Sequence, residues 1–201
     1  MVRTFLRSRW LRMFPEDQPS AEIGAVYDRL VKSYSEPHRH YHTLDHLYAC
    51  FRVLDAHFPE ASPSVQLALW FHDIVYDTHS GDNEERSGEI AIEELAKIDL
   101  DLPDVYDLIL ATKHHEAQGE EAQTVVDVDL SILGETPSCY ERYERDVRQE
   151  YHWVPEEVFW AHRRTILKTF MDREWIYFTA PMRQSEYEGR AWANLGSSVA
   201  P

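Results

Sequence analysis

The chain has 201 residues, 43% of them hydrophobic, 28% charged and 12% aromatic, enough to bury one core, and a single domain over 1–201 is the expected organisation. Its formal charge is −16, from 36 acidic and 20 basic residues. Such a surface repels a polyphosphate backbone and an anionic bilayer alike, so neither a nucleic acid polymer nor a membrane is an expected partner. An anionic small substrate stays open where a bound metal reverses the charge locally. Cys50 and Cys139 are the only cysteines and form no Cys-x-x-Cys. A disulfide scaffold and a Cys-rich zinc site are therefore not expected, and the reading is a reduced, cytoplasmic protein.

Arg7, Arg9 and Arg12 interrupt the apolar residues of the N-terminus, which lacks the apolar run of a secretory signal. Phe5, Leu6, Trp10 and Met13 fall at helical spacing and predict a docked helix. Ile23, Val26, Tyr27, Leu30, Val31 and Tyr34 predict a helix over about 20–34, with Asp17, Pro19 and Ser20 as start signals and Pro37 as the stop. The next starts near Thr43 and carries Leu44, Leu47, Phe51, Leu54 and Phe58. The stretch 64–76 is apolar nearly all round, the pattern of a central helix. A loop at 79–82 precedes a helix from Asn83, and another after Pro103 reaches His114 and His115. The stretch 124–133 fits helix or strand, because Val125, Val126 and Val128 favour strand. Helices over 137–151 and 155–172 follow, then one more after Pro181 and a loose end at 196–201. With no hairpin signal, repeat or low-complexity tract, the expected fold class is all-α.

Eleven histidines are present, nine of them between residues 38 and 115. A single histidine is more often structural than a ligand; clusters weigh differently. His42 and His46 lie four apart and share a helix face, as two ligands or a ligand and an acid must. His72 and Asp73 fall inside the most apolar segment, where an unpaired carboxylate costs several kcal/mol. A metal or a buried Arg would compensate Asp73, and His72 can donate to a backbone carbonyl. Asp127 and Asp129 pose the same problem, and a helix N-cap accounts for at most one of them. Three apolar elements with His or Asp at core positions favour a metal site. Nitrogen and carboxylate donors without thiolate suit a divalent Mn, Fe, Co, Ni, Zn or Mg ion. A Cys-free set with an open position is of the catalytic kind.

The blocks R-H-Y-H-T-L-D-H-L, F-H-D-I-V-Y-D, N-E-E-R-S, A-T-K-H-H and D-V-D-L-S-I-L-G occur in this order between about Tyr34 and Gly134. Together they resemble the HD-domain superfamily of metal-dependent phosphohydrolases, in particular a subgroup of small predicted bacterial members. The resemblance implies a single helical HD-domain bundle with a metal site between central helices. Its HD core would span about 34–134, with a C-terminal helical extension over about 135–195. It implies His46, His72, Asp73 and Asp129 as metal ligands, Asp129 being preferred to Asp127 because it precedes Leu130. His114 or His115, with His115 favoured, would serve a second ion that Asp73 bridges; members hold one ion or two. The Y-H-T-L-D-H block is also similar to the Y-H-N-x-x-H block of cyclic-nucleotide phosphodiesterases, which implies His42 as general acid. Thr43 stands where that family has Asn.

The reaction so implied is hydrolysis of a small phosphate ester, a nucleotide among the candidates, by metal-activated water. Glu84 would act as base or orient the water, and favouring the helix N-terminus is its other reading. Asp77 would support a ligand histidine. Arg39 and Lys113 would bind non-bridging phosphate oxygens, with ordinary surface charge as the alternative. Two other functions fit the resemblance: a di-iron HD-domain oxygenase, which needs six protein ligands and would be favoured by both His114 and His115 engaged, and a non-catalytic metal-binding regulatory module. The C-terminal aromatics Trp153, Phe159, Trp160, Phe170, Trp175, Tyr177 and Phe178 read as core packing, with a homodimer interface as their other use. His152 and His162 read as structural, and Arg163, Arg164 and Lys168 as a solvated face.

Overall fold

The computed structural model describes residues 1–15 and 20–199; the start signals Asp17 and Pro19 and the terminal Ala200 and Pro201 lie outside them. Every element among the described residues is helical. Helix α1 (Val2–Leu11) lays Leu6 and Trp10 into the core, and α2 (Ser20–Ser33) buries Ile23, Val26, Tyr27 and Leu30. The Trp10 indole N–H donates to the Ile23 carbonyl at 2.9 Å and ties the two together. Helix α3 (Leu44–His57) begins behind Thr43, whose hydroxyl accepts from the Asp45 N–H at 3.3 Å. Helix α4 (Pro63–Phe71) has Pro63 in its first turn and Ser62 as its cap, accepting from the Val65 N–H at 3.2 Å. Its residues from Val65 to Phe71 are all buried except Gln66.

Helix α4 stops at Phe71 and does not continue to residue 76. His72 is its C-cap, and Asp73 and Ile74 lie in the turn beyond. Tertiary partners take over the backbone there. The Asp73 N–H donates to the Tyr34 hydroxyl at 3.2 Å, and Arg39 donates to the carbonyls of Asp73 at 2.5 Å and Ile74 at 3.0 Å. His72 and Asp73 thus occupy a helix end rather than a helix interior.

Helices α5 (Asn83–Ala96), α6 (Asp104–His114) and α7 (Glu120–Asp129) follow, and a 3₁₀ turn (Leu130–Gly134) extends α7. The ambiguous valine stretch is therefore helical. Val125, Val126 and Val128 are fully buried where α7 packs on α3, α4 and α6, and packing overrides their strand preference. Helix α8 (Pro137–Glu150) and helix α9 (Glu156–Met171) lead to the short α10 (Ala180–Arg183) and to α11 (Glu186–Val199). Residues 196–199 belong to α11 and are not a loose end.

Helix α4 sits centrally, against α3, α5, α6 and α7. Helix α11 packs on the 3₁₀ turn, α8, α9 and α10. The Asp127 carboxylate joins the two regions, accepting from the Phe178 N–H at 2.8 Å, the Thr179 N–H at 2.7 Å and the Thr179 hydroxyl at 2.6 Å. Buried apolar residues run from Leu6 to Leu195 in one cluster. No described helix is long and apolar enough to cross a membrane.

Candidate metal centre

Four helix ends converge on one cluster, in which His46 and His72 are buried and Asp129 and His115 are partly exposed. His46 comes from the first turn of α3, His72 from the end of α4, and Asp129 from the last residue of α7. His115 is the C-cap of α6. His46 Nε2 lies 3.1 Å from His72 Nε2 and 3.2 Å from Asp129 Oδ1. His72 Nε2 lies 3.5 Å from Asp129 Oδ1, which closes a triangle of donor atoms. Ligands about 2.1 Å from a common ion stand roughly 3.0–3.4 Å apart. Two sides of the triangle fall in that range and the third, 3.5 Å, lies just above it, and this group could hold a metal ion.

The tautomer of His72 supports the same use. Its Nδ1 lies 2.9 Å from the Leu69 carbonyl oxygen, which can only accept, so Nδ1 carries the proton. In the neutral ring Nε2 then presents its lone pair to the triangle, as in the histidine–carbonyl arrangement that orients ligand imidazoles. Asp73 Oδ2 stands beside the triangle, 3.0 Å from His72 Nε2 and 3.7 Å from His46 Nε2. His115 Nε2 reaches the other oxygen of Asp129 at 3.3 Å.

His115 gets there by an unusual backbone. Its φ is 50° and its ψ 39°, the left-handed conformation that ends α6. Arg173 donates to its carbonyl at 2.7 Å, and the Phe170 ring meets its imidazole edge-on at 5.6 Å between centroids. His114, the residue before, is exposed and does not join the cluster.

Opposed charges dominate the electrostatics. Burial disfavours charge on His72, yet Asp73 and Asp129 hold its pKa well above the usual histidine value. On His46 burial prevails and its pKa falls. Burial disfavours charge on the carboxyls too, but the His72 imidazolium holds Asp73 down, and hydrogen bonds from His115, His46 and His72 do the same for Asp129. Asp127, two residues before Asp129, is spent on Phe178 and Thr179, and burial lifts its pKa to about 6.

His42 stands beside the cluster, its ring centroid 5.8 Å from that of His46. Its Nδ1 donates to Glu150 Oε2 at 2.8 Å, and its ring stacks on Tyr76 at 4.1 Å. Glu150, the last residue of α8, is nearly fully buried. Its Oε1 accepts from the backbone N–H groups of His40, Tyr41 and His42 at 2.8, 2.8 and 3.0 Å. Its Oε2 also accepts from the Tyr76 hydroxyl at 2.9 Å. Burial opposes the charge, but His42 and these donors bring its pKa down to about 2. The same carboxylate raises His42 against its own burial.

The other expected site residues are placed as follows. Glu84 is half-buried in the first turn of α5, and burial, with Asp73 nearby, raises its pKa. Arg39 is buried and committed, bonding Glu36 Oε2 at 3.0 Å and the carbonyls of His42, Asp73 and Ile74. It braces the loop that carries the cluster and has no free face for phosphate. The Lys113 ammonium is held by Glu85 and by the Gly81 carbonyl at 2.8 Å. Asp77 is exposed and accepts from the His79 N–H at 2.9 Å, away from the cluster histidines. The carbonyl of Leu69 holds the place that Asp77 was expected to take beside a ligand histidine. No family model, curated protein or solved structure matches this chain.

Proposed function

We propose that this chain is a metal-dependent phosphohydrolase of the HD-domain kind, acting on a small phosphate ester. The observation that carries the reading is the pairing of an inward-facing donor triangle with a carboxylate-held histidine beside it. His46, His72 and Asp129 would hold one divalent ion, and Asp73 and His115 stand where they could complete its shell or share a second. A bound ion supplies Lewis acidity there, stabilising phosphoryl charge and acidifying water.

The chain's own residues do the rest. With Nδ1–H committed to Glu150, His42 keeps Nε2 free, and in its protonated form Nε2–H can donate to the leaving oxygen. Glu150 favours that protonated form and fixes the ring. Glu84, kept more basic than an ordinary carboxylate, can accept a proton from the attacking water. A six-ligand di-iron oxygenase would be favoured by both His114 and His115 as ligands, and His114 is exposed.

The test is phosphate release from a panel of phosphomonoesters and phosphodiesters after loading with Mn, Fe, Co, Ni, Zn or Mg. Metal-dependent release is expected, falling about 10²–10⁴-fold in His42→Ala with the metal content unchanged. Bound metal without release from any ester would contradict the reading and favour oxygen chemistry or a regulatory role.

A further inference from the structure

The turn that follows Glu150 carries a large ring that core packing does not explain. Trp153 is 46% exposed, yet it is fixed in place. Its Nε1 donates to the Thr78 hydroxyl at 2.9 Å, and its ring stacks on His79, with centroids 4.2 Å and planes 17° apart. The His79 side chain is itself 64% exposed and is held by Asp77, whose Oδ1 lies 3.4 Å from Nδ1. Two parallel rings are thus anchored at their edges and left open to solvent. Such a pair gains little from burial and is a ready stacking face for another flat ring.

Its place relative to the site follows from the same contacts. The Thr78 hydroxyl that receives Trp153 donates to the Glu150 carbonyl at 3.5 Å. The Glu150 side chain holds His42 and Tyr76, and Tyr76 stacks on His42. The ring pair is therefore joined, through Thr78 and Glu150, to the residues that hold His42. In the hydrolysis proposed above, His42 protonates the leaving oxygen, so the alcohol portion of the ester lies at His42, from which this network of contacts leads to the ring pair. Resting on that reading, we propose that Trp153 and His79 form a stacking subsite for a flat aromatic group on the substrate's alcohol portion, a purine nucleoside being the chemical class that fits.

Calorimetric titration of the metal-loaded protein with adenosine 5′-monophosphate and with ribose 5-phosphate isolates the base. The wild type is expected to bind the nucleotide about 5- to 100-fold more tightly than the sugar phosphate. Trp153→Ala brings that ratio close to one, whereas Trp153→Phe keeps most of it. His79→Ala, which removes the other exposed ring, lowers it too and serves if the tryptophan variant does not fold. Equal affinities in the wild type, a preference that survives Trp153→Ala, an unchanged ratio in His79→Ala, or no binding of either ligand overturns the subsite. Phosphate release separates the two claims. A stacking-dependent preference without release from either compound leaves the ligand site standing and overturns the hydrolase reading. Release from both without a preference for the nucleotide overturns the subsite alone.

Discussion

Glu150 gathers three backbone N–H groups, an imidazole and a phenol on one buried carboxylate. A carboxyl held at about 2 in the fold, against 4.5 when unfolded, contributes stability that is complete above pH 4.5. That contribution, about 3 kcal/mol, is lost as pH falls from 4.5 towards 2. Glu150→Gln should therefore lower stability at neutral pH by about 2–4 kcal/mol in urea unfolding. It should also flatten the acid limb of stability against pH. Because Glu150 raises His42, the same variant should move the alkaline limb of kcat/KM to lower pH, the limb on which the acid loses its proton. An unmoved limb would mean that His42 is not that acid. Residue types and spacing pointed to His46, His72, Asp73 and the pair Asp127 and Asp129, and the family resemblance chose Asp129 and added His115; the fold brings His46, His72, Asp73, Asp129 and His115 together. Glu150 was not legible, because its partner His42 is 108 positions away and no local pattern marks a buried Glu at a helix end. Arg39 and Lys113 show the converse: sequence displays a cation but not the carbonyls and carboxylates that already engage it.

Helix existence was readable from apolar periodicity from α1 to α6 and for α8 and α9, and the errors there sit at ends. Helix α4 stops early because Tyr34 and Arg39, distant in sequence, capture the backbone at Asp73 and Ile74. The valines of α7 leave helix and strand open until the helices around them decide it. Two glycines test packing at this scale. A Cβ on Gly134 would meet the Tyr187 carbonyl oxygen at 2.5 Å and the Tyr177 hydroxyl at 2.8 Å, where α11 lies on the 3₁₀ turn. Gly134→Ala should cost about 1–3 kcal/mol, by overpacking against backbone that cannot step aside. Gly24 in α2 has open space around it, so Gly24→Ala should be stabilising by up to about 1 kcal/mol. Urea unfolding of both variants checks the opposite signs.

Across the whole molecule, the segment after Gly134 is part of both the core and the site. Leu167, Phe170, Ile176, Tyr177 and Met182 are buried in the same cluster as the helices around α4. Arg173 fixes His115, and Phe178 and Thr179 take up the Asp127 carboxylate. A fragment ending at Gly134 should therefore expose Asp127 and the 3₁₀ turn and lose cooperative thermal unfolding. A sharp transition in that fragment would show that the preceding helices fold as their own unit.

Metal analysis of the purified protein and of Asp129→Ala, after incubation with Mn, Fe, Co, Ni or Zn and removal of free ion, bears most directly on the central claim. One or two ions per chain are predicted in the wild type, with loss of bound ion in a variant that keeps its helical circular dichroism. A wild type that takes up no ion, or a variant that holds as much as the wild type, would contradict the metal centre built on His46, His72 and Asp129.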